Sequence, residues 1–439
     1  MEVGSPALLT DKYELTMLSA ALGDGTAGRR TTFELFARRL PDGRRYGVVA
    51  GTGRLLETLG DFVFDDAALA TVAGFAGVAN LDATCEFLRG FRFGGDIDGY
   101  AEGELYFPGS PVLSVTGTFA ECVLLETLAL SIFNHDTAVA SAAARMVSAA
   151  AGRPLIEMGS RRTHEQAAVA AARAAYIAGF TGSSNLEALR RFGIPALGTS
   201  AHAFTMLHTR AGSGTDDWEQ AAFRAQVAAL GVSTTLLVDT YDVQRGVANA
   251  IAAAGTGLGA VRIDSGDLGV LARQARDQLD ALGATDTKIV VSGDLDEYSV
   301  AALRAEPVDA YGVGTSVVTG SGAPTASMVY KLVEVDGVPV QKRSLHKQSS
   351  GGRKAAVRLS KPSGTVIEEL IHPVAQRPDV TRPSRVLTVP LVRGGQVLAP
   401  PSLDAARSLV AEGLRSLPWE GLALSRGEPA IPTRVVPER

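Results

Sequence analysis

Four apolar runs, at residues 236–238, 261–263, 289–291 and 310–313, begin 25, 28 and 21 residues apart. Each interval is the length of one strand, one loop and one helix. Connections that long suit crossovers between parallel strands, so the pattern predicts a parallel sheet with helices outside it. Two of the intervening helices are predicted at 242–254 and 268–282, and Thr163 with Gln166 forms a capping box opening an Ala-rich helix that ends at residue 178. Upstream, the elements are mixed. Thr10 is placed to cap a helix through Tyr13, Leu15 and Leu18. Residues 32–40 alternate like a strand, 94–118 hold several short strand-like runs, and 119–150 read as a long helix broken near Asn134. Beyond residue 325, runs at 329–335 and 338–342 flank Asp336-Gly337, a strong hairpin signal. Strands at 354–359 and 365–370 follow, then a Pro-rich tail with one helix at 402–417. A barrel-like α/β core thus sits between two sheet-like flanks.

Composition narrows the class. With 42 Lys+Arg against 47 Asp+Glu in 439 residues, the formal net charge is −5. That balance, without a block of like charge, argues against a protein held to nucleic acid by electrostatics. Two cysteines, Cys85 and Cys122, fit neither a metal knuckle nor a redox pair, and imply a disulfide-free cytoplasmic protein. The N-terminus lacks the features of a signal peptide, and the longest charge-free stretch, 310–330, is too rich in Gly, Ser, Thr and Pro to span a membrane. Glycine is the outlier, at 48 residues. Excess glycine in a foldable chain points to tight turns and to backbone approaching a ligand closely.

The candidate chemistry gathers after the predicted strands. Asp264-Ser265-Gly266-Asp267 ends one of them; its carboxylates can grip sugar hydroxyls or Mg²⁺, while the plain alternative is that Asp264 caps the next helix. Arg262, two residues earlier, is a planar cation suited to a small anionic aromatic. Tyr311-Gly-Val-Gly-Thr-Ser316 runs into a turn where the Gly314 and Thr315 backbone can cradle phosphate, or simply make a tight turn. Gly198-Thr-Ser-Ala-His202 places one of six histidines in a Gly/Ser-rich loop, either as base or phosphoryl acceptor or as a structural residue. Arg161 and Arg162 follow a strand at 154–158, where arginine is suited to phosphate or carboxylate. The other histidines show no metal-ligand spacing. Taken together, this set suits a phosphorylated sugar with a small anionic partner.

Seven ordered motifs carry a resemblance: IEMGSRRTHEQAA from Ile156, GFTGSSN from Gly179, GTSAHAF, RIDSGDL, VVSGDLDEY, YGVGTSVVTG and VYKLVEV. With TDKYELTM and FELFARRLP near the N-terminus, they closely resemble the nicotinate phosphoribosyltransferases, from about residue 8 to 371. The resemblance implies a type II phosphoribosyltransferase fold. Its parts here are an irregular, TIM-like α/β barrel core at 151–325, an N-terminal α+β domain at 1–150 against which strands of the C-terminal flank pack back, and an antiparallel flank with a C-terminal extension at 326–439. It further implies a homodimer with its active sites at the interface. The implied reaction transfers phosphoribosyl from 5-phosphoribosyl 1-diphosphate to nicotinate in NAD biosynthesis, with Mg²⁺, and with ATP hydrolysis coupled through a phosphohistidine. By motif position, His202 is the phosphorylated residue and Asp239 the carboxylate that orients it. Tyr13, Thr199 and Arg262 match nicotinate positions. Arg161, Asp264, Asp267, Gly293, Asp294, Gly314, Thr315 and Lys347 match positions around the donor, with Asp264 or Asp267 able to meet Mg²⁺. Lys354 belongs to the same basic loop as Lys347, and Arg38 or Arg39 is implied to reach the site from the partner subunit.

The chemistry agrees with these roles. Breaking the anomeric C–O bond develops oxocarbenium character, so the leaving diphosphate needs cations and backbone N–H groups. The pyridine nitrogen is already a nucleophile, so His202 is better explained as a phosphoryl carrier than as a base. Met158 stands where relatives often carry an aromatic, and Gly351 where they often carry Pro. A nicotinamide-using enzyme and a catalytically silent relative are the alternatives; retention of His202 and the DSGD acids speaks against the second.

Overall fold

The computed structural model describes residues 5–75, 80–342, 350–398 and 402–436. The chain divides into two compact units, residues 142–322 and residues 1–141 together with 323–439.

In the 142–322 unit every strand connection is a crossover, and the result is a parallel sheet of six strands. Its order is Gly182–Ser183, Leu155–Glu157, Ala310–Val313, Lys288–Val291, Ala260–Ile263, Thr235–Leu237. The sheet curls into a half-barrel. Leu236, Leu237, Val261, Ile263, Ile289, Val291, Tyr311 and Val313 are all buried, whereas Arg262 and Val290 are only partly so and Lys288 is exposed. Helices Val243–Ala254 and Leu268–Ala281 lie where the spacing predicts them. Gly246 sits where a helix packs onto a strand: a Cβ there would fall 2.0 Å from the Val238 carbonyl oxygen.

The other unit is built on a seven-stranded antiparallel sheet. Arg30–Ala37 lies between Met328–Val335 and Leu113–Thr118, and Thr388–Arg393 pairs with Asp96–Tyr100. Strands from both ends of the sequence therefore share one sheet. Phe33 stacks on Tyr330 with ring centroids 4.9 Å apart, inside a core that also holds Leu35, Leu113, Val115 and Phe133. Asp336 and Gly337 both adopt positive φ, 48° and 78°, the geometry a type I′ hairpin requires.

Four expectations are corrected. Asp11, not Thr10, is the N-cap of helix Lys12–Asp24; the Thr10 hydroxyl donates to Glu14 instead. His164, not Thr163, caps Glu165–Ala178, its Nδ1 accepting from the Gln166 N–H at 3.3 Å. The 119–150 stretch is interrupted at 124–125, between Phe119–Val123 and Glu126–Ala150, and the helix runs unbroken through Asn134. Asn134 uses its side chain in a tertiary link, accepting from Met328 N–H at 2.8 Å and donating to Met328 O at 3.3 Å. The C-terminal flank is antiparallel except at one edge, where Thr433–Val435 pairs in parallel with Val366–Pro373.

Candidate active site

The carboxyl ends of the parallel strands carry the polar groups, as expected of a barrel whose chemistry is built on strand-to-helix loops. Asp239 lies just beyond Thr235–Leu237. Its Oδ2 accepts from the Asp264 N–H at 2.9 Å and from the Ser265 hydroxyl at 2.8 Å, tying together the loops of two neighbouring strands. Its Oδ1 is buried without a hydrogen-bond partner and lies 3.9 Å from His202 Nε2. His202 opens the short helix His202–Leu207, and its Nδ1 stands 3.2 Å from the Thr240 hydroxyl. The imidazole is thus flanked by a carboxylate on one side and a hydroxyl on the other.

Arg262 projects from Ala260–Ile263 and donates from Nη2 to the Ser200 carbonyl at 3.2 Å, holding the loop that carries Thr199. Its Nε is buried and unpartnered. A guanidinium with a spare donor and a fixed orientation is fitted to an incoming carboxylate.

Asp264 is not the helix cap. That task falls to Asp267, whose Oδ1 accepts from the Val270 N–H at 3.1 Å. Asp264 instead accepts from the Ser292 hydroxyl. Gly293, with φ of 104°, lets the next loop come so near that a Cβ would sit 2.1 Å from the Asp264 carbonyl oxygen. Asp294 follows with φ of 45° and is exposed. Gly314 and Thr315 are half-buried beyond Ala310–Val313, with Gly159 packed against the Gly314 carbonyl. Glu157 fixes that turn, accepting from the Gly159 N–H and the Ser183 hydroxyl, and burial pushes its carboxyl up. Arg161 and Thr199 are exposed, and Met158 lies against Gly312.

This unit therefore brings His202, Asp239, Arg262 and Asp264 into one connected set. The remaining candidates belong to the other unit. Tyr13 is exposed on its helix, and partial burial, then Glu126 and Glu14, push its phenol up to about 12. Arg38 and Arg39 are exposed just past Arg30–Ala37. Lys354 is buried; its Nζ lies 2.8 Å from Glu34 Oε2 and donates to the Ser350 and Gly352 carbonyls. Lys347 lies outside the described residues. Thr240, Ser265, Ser292 and Glu157 complete the site and were not singled out from sequence, although each lies inside or beside a motif that was.

Among the described residues no group of three or more His, Cys, Asp and Glu could hold a metal ion, so no all-protein cage is built. Magnesium is ordinarily held by one or two carboxylates together with substrate phosphates. Asp264, with one oxygen engaged by Ser292, fits that lesser role. Among the described residues no helix is long and apolar enough to cross a membrane.

A parallel half-barrel thus carries arginine, imidazole and carboxylate groups at the carboxyl ends of its strands, where barrels of this kind build their sites. Comparison with known proteins supplies the class. Residues 8–134 match the model of the nicotinate phosphoribosyltransferase N-terminal domain, and residues 154–368 match that of the nicotinate phosphoribosyltransferase family. The chain is 74% identical over 431 residues to nicotinate phosphoribosyltransferase pncB1 of Mycobacterium tuberculosis strain H37Rv, covering 98% of this chain and 95% of that protein. It is 33% identical to the human nicotinate phosphoribosyltransferase, covering 93% and 91%. The crystal structure of human nicotinic acid phosphoribosyltransferase superposes with a TM-score of 0.82 at 29% identity over 97% of each chain. Nicotinate-nucleotide pyrophosphorylase from Pyrococcus furiosus shares the fold, with a TM-score of 0.76 at 24% identity over 94% of this chain and 96% of that one. The chain belongs to the nicotinate phosphoribosyltransferase family and is an enzyme of phosphoribosyl transfer.

Proposed function

We propose that this enzyme transfers the phosphoribosyl group of 5-phosphoribosyl 1-diphosphate to nicotinate, and couples the transfer to ATP through a phosphohistidine at His202. The sugar's anomeric C–O bond breaks and diphosphate leaves with the electron pair. The pyridine nitrogen lone pair forms the new C–N bond, giving nicotinate mononucleotide. No proton has to be removed from the nucleophile. Arg262 binds the nicotinate carboxylate from its spare donor. Arg161 and the Gly314–Thr315 turn bind phosphate oxygens, and Asp264, Asp267, Gly293 and Asp294 border the donor. Mg²⁺ arriving with the diphosphate supplies charge neutralisation of the leaving group. Tyr13 and Thr199 are assigned to nicotinate, and Lys347 to the diphosphate. A homodimer, with Arg38 or Arg39 reaching into the neighbouring copy's site, completes the reading, as does a cytoplasmic location.

One observation carries the ATP arm of this proposal: the buried, unpartnered Oδ1 of Asp239 faces His202 Nε2. A carboxylate on that side of the ring, 3.9 Å away, favours the tautomer with its proton on Nε2 and the lone pair on Nδ1, the atom that faces the Thr240 hydroxyl. That lone pair attacks the γ-phosphorus of ATP; the P–O bond to ADP breaks, ADP leaves with the electron pair, and a P–N bond forms.

The test is incubation of the purified chain with 5-phosphoribosyl 1-diphosphate, Mg²⁺ and either nicotinate or nicotinamide, with and without ATP. Nicotinate mononucleotide is the expected product, formed faster with ATP. Its absence under every condition would sink the proposal. His202→Ala should retain slow basal transfer and lose stimulation by ATP; stimulation that survives would remove the phosphohistidine. Light scattering of the eluted enzyme should give the mass of two chains, and a single-chain mass would remove the shared site.

A further inference from the structure

The two turns assigned to the phosphoribosyl donor, Gly293–Asp294 and Gly314–Thr315, are joined by side chains that the reaction as described does not use. Glu297 opens helix Glu297–Leu303, three residues beyond Asp294, and is 2% exposed. Its Oε2 accepts from the Ser321 hydroxyl, and its Oε1 accepts from Arg145 Nε at 3.0 Å. Arg145, itself buried, reaches it from helix Glu126–Ala150 and also stands 3.4 Å from the Tyr298 hydroxyl through Nη2. Asp296 fixes the same helix start, its Oδ1 accepting from the Tyr298 and Ser299 N–H groups at 3.0 and 2.8 Å. The carboxylate of Glu297 is thus held firmly at one end of the link.

Ser321 belongs to the other turn. It follows the short helix Thr315–Val318, and its N–H donates to the Ser316 carbonyl at 2.6 Å. Gly320, Ser321 and Gly322 have φ of 64°, 49° and 83° in succession. Glycine adopts that region at little cost, whereas serine stays there only when its surroundings hold it. Its two bonds, one from the backbone to Ser316 and one from the hydroxyl to Glu297, supply that hold. A hydroxyl donating to a carboxylate is charge-assisted and stronger than a neutral bond. The link runs between the loops that follow two paired parallel strands, Lys288–Val291 and Ala310–Val313.

We propose that Ser321, Glu297 and Arg145 are positioning residues: together they brace the two donor turns at a fixed separation, and so govern the affinity for 5-phosphoribosyl 1-diphosphate without touching it. Groups that bind phosphate oxygens must be held within about 0.5 Å of their working geometry by supporting bonds of this kind. The inference rests on the assignment of both turns to the donor. Nicotinate is assigned to Arg262, on a different strand, Ala260–Ile263.

The experiment measures equilibrium binding of 5-phosphoribosyl 1-diphosphate with Mg²⁺, and separately of nicotinate, to the full-length enzyme and to Ser321→Gly. Glycine suits the positive φ and removes only the side chain that carries the hydroxyl, so the native backbone should survive the change. The donor Kd should rise about fivefold, of the order of one hydrogen bond, while the nicotinate Kd stays within about twofold of wild type. A second variant, Glu297→Gln, keeps the size of the side chain and removes the charge that holds Arg145 and Ser321. It should weaken donor binding in the same sense. Because both changes act on one link, the loss in the double variant should fall short of the product of the two single losses. A donor Kd unchanged in Ser321→Gly, equal losses for donor and nicotinate, or single losses that multiply in the double variant would overturn the inference. A wild type that binds no 5-phosphoribosyl 1-diphosphate would instead overturn the assignment of the turns beneath it.

Discussion

Two groups of buried charge in this chain are built on opposite terms. In the unit formed by residues 1–141 and 323–439, Arg358 is 3% exposed and donates to Glu104 Oε1 at 2.6 Å, the Leu105 carbonyl at 2.7 Å and Glu369 Oε2 at 2.7 Å. Glu369 Oε1 accepts from the hydroxyls of Tyr100 and Ser110, and Glu104 Oε2 from Arg385. Burial acts to raise the Glu104 carboxyl, but Arg358 and Arg385 outweigh it and hold it below the usual range. Every carboxylate oxygen in this cluster has a partner, and the one group left open is a cation's donor, the buried Arg358 Nε. In the other unit, Asp239 Oδ1 and Arg262 Nε at the parallel strands, and Glu219 Oε1 on helix Thr215–Leu230, are buried and have none. Polar groups that satisfy one another specify packing; polar groups left open in the same kind of interior are available to a ligand, a proton or a phosphoryl group.

The largest effect should come from breaking the satisfied cluster. Arg358→Ala strands two buried carboxylates, and removal of one partner from a buried ion pair costs about 3–5 kcal/mol. Chemical denaturation should show a loss of that size, with slowed turnover only in proportion to the unfolded fraction. A loss below about 1 kcal/mol would mean that the cluster does not hold the strands together, and the contrast with the strand-end site would fail.

A smaller and differently placed effect is expected from Arg262→Lys. Lysine keeps the charge but loses the planar fork and the bond to the Ser200 carbonyl. Stability should fall by about 1 kcal/mol, the net worth of the one hydrogen bond lost. The KM for nicotinate should rise about tenfold, equivalent to about 1.4 kcal/mol, and the KM for 5-phosphoribosyl 1-diphosphate should stay near its wild-type value. Equal rises in both would place Arg262 elsewhere than at the nicotinate carboxylate.

The same contrast explains what could be read along the chain. The strands at Ala260–Ile263, Lys288–Val291 and Ala310–Val313 were legible because each carries a pair of buried apolar residues, Val261 and Ile263, Ile289 and Val291, Tyr311 and Val313, recurring at the spacing of a strand-loop-helix unit. The Asp336-Gly337 hairpin was legible because only a few residue pairs adopt two successive positive φ angles cheaply. The helix starts at Asp11 and His164 were each displaced by one residue, since neighbours of similar polarity can all cap and tertiary context chooses among them. Asp239, His202 and Arg262 were legible as motif residues. The Arg358 cluster was not, because Glu104 is 254 positions away and no local pattern connects them. Glu219 was hidden for another reason: in the run TDDWEQ it looks like one more acid in the first turns of a solvated helix, and only folding shows that it points inward.

That inward placement has a consequence for stability with a definite sign. The folded-state value for Glu219 lies above its unfolded one, so its protonated form is favoured by folding. The stability it contributes is fully present below the unfolded carboxyl value and is lost as pH rises through about 7. Glu219→Gln keeps the shape and cannot ionise. The difference in Tm, variant minus wild type, should therefore increase from pH 5 to pH 8, by an amount on the order of a few °C for about 1 kcal/mol. Salt should reduce it only weakly, because the group is buried away from mobile ions. If the difference instead shrinks toward pH 8, Glu219 is ionised in the folded enzyme. The open oxygen would then have to be matched by a proton donor, and this buried acid would be satisfied in the same way as those around Arg358.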